Sequence, residues 1–187
     1  MVAMSKNEDK LIANLEHRLK GLLTPKGIVL PKNQNSEEIS SRGYGVAEND
    51  KILLTFYEGL YLKDKGFLEV LNDKGDNADF KEVLQCYESV DENAWAKYLV
   101  YRDLRSRGYV VREGFGLRVD FRVYEKGEYG KGSAKYLILT MQEGKPLALE
   151  DLINAMTQSQ SLKKELILAV MNRRGEIVYY SVSQLQI

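Results

Sequence analysis

Apolar positions along the 187-residue chain fall into short segments of helical or strand period, separated by turn residues. Leu11, Leu15, Leu19 and Leu22 lie near one stripe, which predicts a helix over Lys10 to Leu23 that Pro25-Lys26-Gly27 interrupts. Ile28-Val29-Leu30 reads as a short strand and the polar stretch Asn33 to Arg42 as a loop. Gly43-Tyr44-Gly45 then leads to a second strand at Lys51-Ile52-Leu53-Leu54. Thr55 suits the cap of a helix from Phe56 to Lys65, and Gly66 suits its stop. A strand over Phe67 to Leu71 and a helix from Asp79 through Cys86 and Tyr87 complete a small α/β unit.

A polar stretch from Glu88 to Asn93 marks a boundary, dividing the chain into residues 1–92 and 93–187. Beyond it, Ala94, Tyr98, Leu99 and Leu104 form the apolar side of a helix that Gly108 ends. Strands are expected at Tyr109 to Glu113, Leu117 to Tyr124 and Lys135 to Met141, between glycines. Pro146 to Asp151 opens a helix toward Gln158. Leu166 to Met171 and Ile177 to Val182 then form a hairpin around Asn172-Arg173-Arg174-Gly175-Glu176. This order predicts a mixed sheet with helices on its faces, a nuclease-type α/β domain, although fold alone does not set chemistry.

Composition excludes several classes. No apolar run approaches the ~20 residues of a membrane-spanning helix, and the first residues lack the apolar core of a signal peptide, so a cytoplasmic protein without a membrane partner is expected. One cysteine, Cys86, and one histidine, His17, assemble neither a disulfide nor a Cys/His zinc site, and no cofactor is expected. The 27 basic and 27 acidic side chains cancel, but unevenly. Residues 1–92 hold 12 basic and 17 acidic groups, net −5, and residues 93–187 hold 15 and 10, net +5. Every arginine except Arg18 and Arg42 lies in the second half, where it offers an anion its bidentate fork.

A metal nuclease would need carboxylates converging on Mg²⁺ with a lysine nearby. Asp120 is available, but Lys135 to Met141 supplies no Glu-x-Lys pair, and Asp120 between Arg118 and Arg122 reads more simply as an ion-paired residue. Metal-free RNA cleavage instead needs a base for the 2′-hydroxyl, an acid for the leaving oxygen and a cation for the transition state. Tyr124 and Lys164 are of suitable type.

The segments Tyr98-Leu-Val-Tyr-Arg-Asp-Leu-Arg-Ser-Arg-Gly-Tyr109 and Asp120-Phe-Arg-Val-Tyr-Glu-Lys-Gly127 closely resemble the archaeal tRNA-splicing endonucleases. So do Lys135-Tyr-Leu137, Ser161-Leu-Lys-Lys-Glu-Leu-Ile-Leu-Ala-Val170 and Gly175-Glu-Ile-Val-Tyr-Tyr180. In the first half, Gly43-Tyr-Gly45, Glu58-Gly-Leu-Tyr-Leu62 and Gly66-Phe-Leu-Glu-Val70 are similar too. The resemblance implies a small α/β N-terminal domain, a restriction-endonuclease-like C-terminal domain, assembly of four catalytic-domain units, and precursor tRNA cut at a bulge-helix-bulge.

It also implies a Tyr-His-Lys triad. Tyr124 falls at the tyrosine position and Lys164 at the lysine position, but Ser133 stands where the histidine is expected. Thr157 replaces an arginine that grips the bulged base, and the usually acidic loop between the last two strands keeps only Glu176. Arg122 and Lys163 are candidate RNA contacts. The apolar terminal strand, with Ile177, Val178 and Tyr180, is a candidate oligomer interface. The expectation is a structural subunit of a heterotetramer working with a catalytic partner of the same family. The alternatives are an active subunit with an atypical general acid, leaving 2′,3′-cyclic phosphate and 5′-hydroxyl ends, or an RNA-binding module without enzymatic activity.

Overall fold

The computed structural model describes residues 18–184 except 115 and 117. Two compact units divide between Tyr98 and Leu99. The first carries β1 (Leu19–Thr24), β2 (Gly27–Pro31), α1 (Gln34–Ser41), β3 (Val46–Glu48), β4 (Lys51–Leu54), α2 (Phe56–Asp64), β5 (Leu68–Leu71) and α3 (Phe80–Glu88). Its sheet runs β3-β4-β2-β1-β5, antiparallel except where β1 meets β5. Ile28, Leu30, Ile52, Leu54 and Val70 are buried. Helix α2 lies so close to β2 that a Cβ at Gly59 would sit 1.9 Å from Ile28 Cδ1, which explains a glycine inside a helix. Phe56 and Tyr87 stack at 5.3 Å between α2 and α3.

Two expectations for this unit are overturned. The stripe over Lys10 to Leu23 does not continue as a helix into the described residues: Leu19–Thr24 is a strand, and residues 10–17, with His17, lie outside them. Pairing with both β2 and β5 decides the conformation, since Leu19 and Gly21 face inward while Lys20 and Leu22 face outward, a period of two that the leucine spacing masked. The polar stretch Asn33 to Arg42 is not a loop. Asn33 and Ser36 form a capping box for α1, which buries Ile39 and Ser36 and leaves most of its other residues polar. Thr55 and Glu58 cap α2 in the same way, as the sequence predicts for Thr55.

The boundary falls inside α4 (Ala94–Ser106); the second unit adds β6 (Val110–Glu113), β7 (Phe121–Tyr124), β8 (Tyr136–Gln142), α5 (Leu149–Ser161), β9 (Glu165–Met171) and β10 (Ile177–Val182). The sheet runs β10-β9-β8-β7-β6, with β8 and β9 parallel and joined through α5. The strand expected over Leu117 to Tyr124 is shorter, beginning at Phe121 after Arg118 takes a positive φ of 50°. Paired residues share a sheet face, so Arg112, Arg122, Leu137, Leu166 and Val182 form one row across all five strands. Ala155 of α5 joins buried Leu137 and Leu166 in the core, with Leu152, Met156 and Val182 packed around them. On the opposite face Tyr101 meets Phe121 at 6.3 Å, and the Tyr179 hydroxyl donates to Asp103 Oδ2 at 2.7 Å.

Candidate functional site

The register brings distant residues to one end of the second sheet. Tyr124 lies two residues past Arg122 at the end of β7, and Lys164 two residues before Leu166 at the start of β9. Because β7 runs antiparallel to β8 and β9 runs parallel to it, both positions step off the row toward the same sheet end. Ser133 stands three residues before β8 at that end.

Ser133 and Lys164 touch. Lys164 Nζ donates to Ser133 Oγ at 3.2 Å and to the Ala134 carbonyl. The lysine is aimed by the end of α5: Lys163 N–H bonds the Gln160 carbonyl and Lys164 N–H the Ser159 carbonyl, the pairing of a Schellman cap. This cap requires a left-handed residue, and Lys163 fills it with φ 53° where glycine would be relaxed. Lys163 itself is exposed.

Tyr124 is half-buried, its ring edge-on to Tyr129 at 5.1 Å. Tyr129 lies in a glycine-rich connection with no periodicity, so no spacing in the sequence marks it. Next to it, Lys135 Nζ pairs with Glu125 Oε1 at 2.8 Å, and the Tyr136 hydroxyl donates to the same oxygen at 3.2 Å. The Lys135 hydrogen bond, together with the charge behind it, holds the Glu125 carboxyl below its ordinary range and pushes the Lys135 ammonium up. That lysine is therefore already charge-matched, whereas Lys164 donates to the neutral oxygens of Ser133 and Ala134.

Arg122 faces Arg112 across β6 and β7, two like charges at directly opposed positions, and Arg122 Nε donates to the Glu113 carbonyl at 2.9 Å. Asp120 Oδ2 accepts the Thr140 amide at 2.6 Å. Thr157 Oγ1 is turned onto its own helix, donating to the Ile153 carbonyl at 2.9 Å. Among the described residues, no three His, Cys, Asp or Glu side chains are grouped so as to hold a metal ion, and no helix is long and apolar enough to cross a membrane.

The interface residues sit on an edge strand. β10 is outermost, with Val178 44% and Tyr180 54% exposed, Ile177 half-buried and Glu176 exposed. By register, Met141, Val170 and Val178 form one row and Leu139, Leu168 and Tyr180 another, on the face that α5 covers only farther along. Glu176 is used locally: its Oε2 accepts Asn172 Nδ2 at 2.7 Å, while Asn172 Oδ1 takes the amides of Arg174 and Glu176.

Comparison with known proteins supplies the deciding observation: residues 94–179 match the model of the tRNA intron endonuclease catalytic C-terminal domain, and residues 19–84 that of its N-terminal domain. The chain is a member of the tRNA intron endonuclease family. The tRNA-splicing endonuclease of Methanococcus maripaludis is 28% identical over 177 residues, 95% of this chain and all of the relative. That of Pyrococcus horikoshii is 33% identical over 143 residues, 76% of this chain and 82% of the relative. The tRNA-splicing endonuclease of Methanococcoides burtonii is 30% identical over 158 residues, which span 84% of this chain but 44% of that protein. Within this endonuclease-family subunit the C-terminal match takes in Tyr124, Ser133 and Lys164 together.

Proposed function

We propose that this subunit is the structural, non-catalytic member of a heterotetrameric tRNA-splicing endonuclease that acts on precursor tRNA at a bulge-helix-bulge. The supporting observation is the hydrogen bond from Lys164 to Ser133. At the position where the family resemblance implies an imidazole stands a hydroxyl far too weak an acid to protonate a leaving alkoxide, and it occupies the cation meant for the phosphate. General acid catalysis is worth about 10²–10⁴-fold, so its loss silences cleavage while leaving a cationic surface. Arg122 and Lys163 contribute to that surface, Lys163 as an exposed cation at the end of α5. The edge strand β10 and the apolar rows beside it are the surface this reading assigns to a catalytic partner of the same family.

A second reading, an active subunit, draws on the retention of Tyr124 and Lys164 at one sheet end. The assay that separates the two is metal-free incubation of a bulge-helix-bulge RNA with the purified chain, alone and with a family partner, followed by detection of 2′,3′-cyclic phosphate ends. Cleavage only with the partner is expected. Robust cleavage by the isolated chain overturns the structural role.

A further inference from the structure

In the first unit, α2 rests on the sheet face to which Ile28 belongs, and α3 stacks on α2 through Phe56 and Tyr87. The pairing register shows what the opposite face holds. Val46, Leu53, Val29, Leu22 and Leu71 are partners in turn from β3 to β5, so they form one apolar row across all five strands. Leu22 is 48% and Val46 52% exposed, and the other three are half-buried. Two residues along each strand, on one side of the row, lies a charged margin: Lys20 pairs with Glu69 at 3.8 Å, and Lys51 stands between Pro31 and Glu48. On the other side Thr24 and Gly27 form a margin without charge.

We propose that this open face docks a second copy of the chain, sheet against sheet, about a two-fold axis that runs along the apolar row. The shape of the patch selects the occupant. A helix packed along the strands would meet two or three of these side chains and then lie across the charged margin, whereas another sheet stacked ~10 Å away meets the whole row at once. An axis along the row sets each apolar side chain opposite its own counterpart, the isologous arrangement. It also turns the two charged margins to opposite rims, each above the Thr24 and Gly27 side of the other copy, so the margins do not meet. Charge permits the approach. Residues 1–92 are net −5, which repels a second copy, but Glu69, Lys20, Lys51 and Glu48 sum to zero, so this face adds no repulsion of its own. Area sets the strength. Five strands at ~4.8 Å, each with two or three residues on the face, give a footprint of roughly 400 Å² per copy, about half of the ~800 Å² of a standard interface. The pair is therefore weak in isolation and gains in a tetramer that holds two copies of this chain, where the contact becomes intramolecular.

The experiment uses the full chain carrying Val178→Lys and Tyr180→Lys, so that the edge strand β10 does not contribute. Its mass in sedimentation velocity should still rise with concentration over roughly 20–500 µM, the range of a small interface. Adding Leu22→Lys and Val46→Lys, both at exposed positions, should weaken that association about tenfold or more with the thermal melt unchanged. Lysine makes the unit less acidic, so the loss cannot come from net repulsion. Cβ atoms across stacked sheets lie beyond disulfide reach, so the contact is mapped with a short bis-maleimide on single cysteines in a Cys86→Ser background. Leu22→Cys and Val29→Cys should crosslink to dimers about fivefold more than Lys81→Cys, an exposed position on α3. A mass that stays monomeric, a mass indifferent to the Leu22 and Val46 lysines, or equal crosslinking at all three positions overturns the proposal. Loss of binding to a family partner in the lysine variants, with self-association unchanged, also overturns it and gives the face to that partner.

Discussion

Restoring an imidazole at residue 133 tests whether its absence silences the site. Ser133→His removes the hydroxyl that accepts from Lys164 at 3.2 Å, but the ammonium keeps its bond to the Ala134 carbonyl and so stays at the sheet end. The lost bond is long and exposed, and costs at most about 1 kcal/mol. Against it stands a general acid worth about 10²–10⁴-fold, or ~3–5.5 kcal/mol of barrier. An imidazolium beside a lysine ammonium is disfavoured, so its pKa falls below the ordinary ~6.5 and the protonated acid is scarce at neutral pH. The gain should therefore grow as pH falls from 7.5 to 6, and the assay is single-turnover, metal-free cleavage of a bulge-helix-bulge RNA across that range. Lys164→Ala in the same chain should abolish the gain. If Ser133→His folds and binds RNA like the parent but cleaves no faster at any pH, the missing acid is not what silences this subunit.

Three further outcomes follow from the same geometry. Lys163→Gly should raise Tm by about 1–4 °C, since relief of the left-handed backbone exceeds the added freedom of the unfolded chain by up to ~1 kcal/mol; RNA affinity should fall and its salt slope shrink by about one, and an unchanged slope would remove Lys163 from the RNA surface. Tyr179→Phe should destabilise by about 1–3 kcal/mol in a denaturant melt by taking a donor from the Asp103 carboxylate. The Tyr179 phenol is pushed up by burial and then by its bond to Asp103. Its contribution is full below the unfolded value near 10 and is lost as pH rises beyond it, so a parent no less stable at pH 11 than at pH 9 would contradict this. Charged substitutions at Val178 and Tyr180 together should release smaller species in light scattering, and an unchanged mass would count against the edge strand as an interface.

Much of the second unit was legible because its strands lie between glycines and α4 runs into the left-handed Gly108. The first unit misled at two places for opposite reasons. In β1 the leucine spacing imitated a helix, and only pairing with strands at both sides, β5 among them from far along the chain, decides otherwise. In α1 the helix buries little apart from Ile39 and Ser36, so its only local signal was the Asn33 and Ser36 box. For the candidate site, Tyr124, Ser133 and Lys164 were named from the resemblance, but no spacing announces that Lys164 grips Ser133 31 residues away. That contact comes from the parallel register of β8 and β9. Tyr129 and Glu125 were equally invisible, since each depends on what the fold places opposite it.

The parallel pairing of β8 and β9 has a temporal consequence. A hairpin can form as soon as its turn is made, whereas Ser133 and Lys164 meet only after the intervening chain has crossed the sheet as α5 and closed a loop of 31 residues. Non-local parallel pairing of this kind waits on loop-closure entropy and comes late in folding. Until that pairing forms, Lys164 is not held against Ser133 at the sheet end. The chain acquires that end in the same step that completes its second unit, so protection of Lys164 from amine-modifying reagents, sampled during refolding, times the finish of the domain.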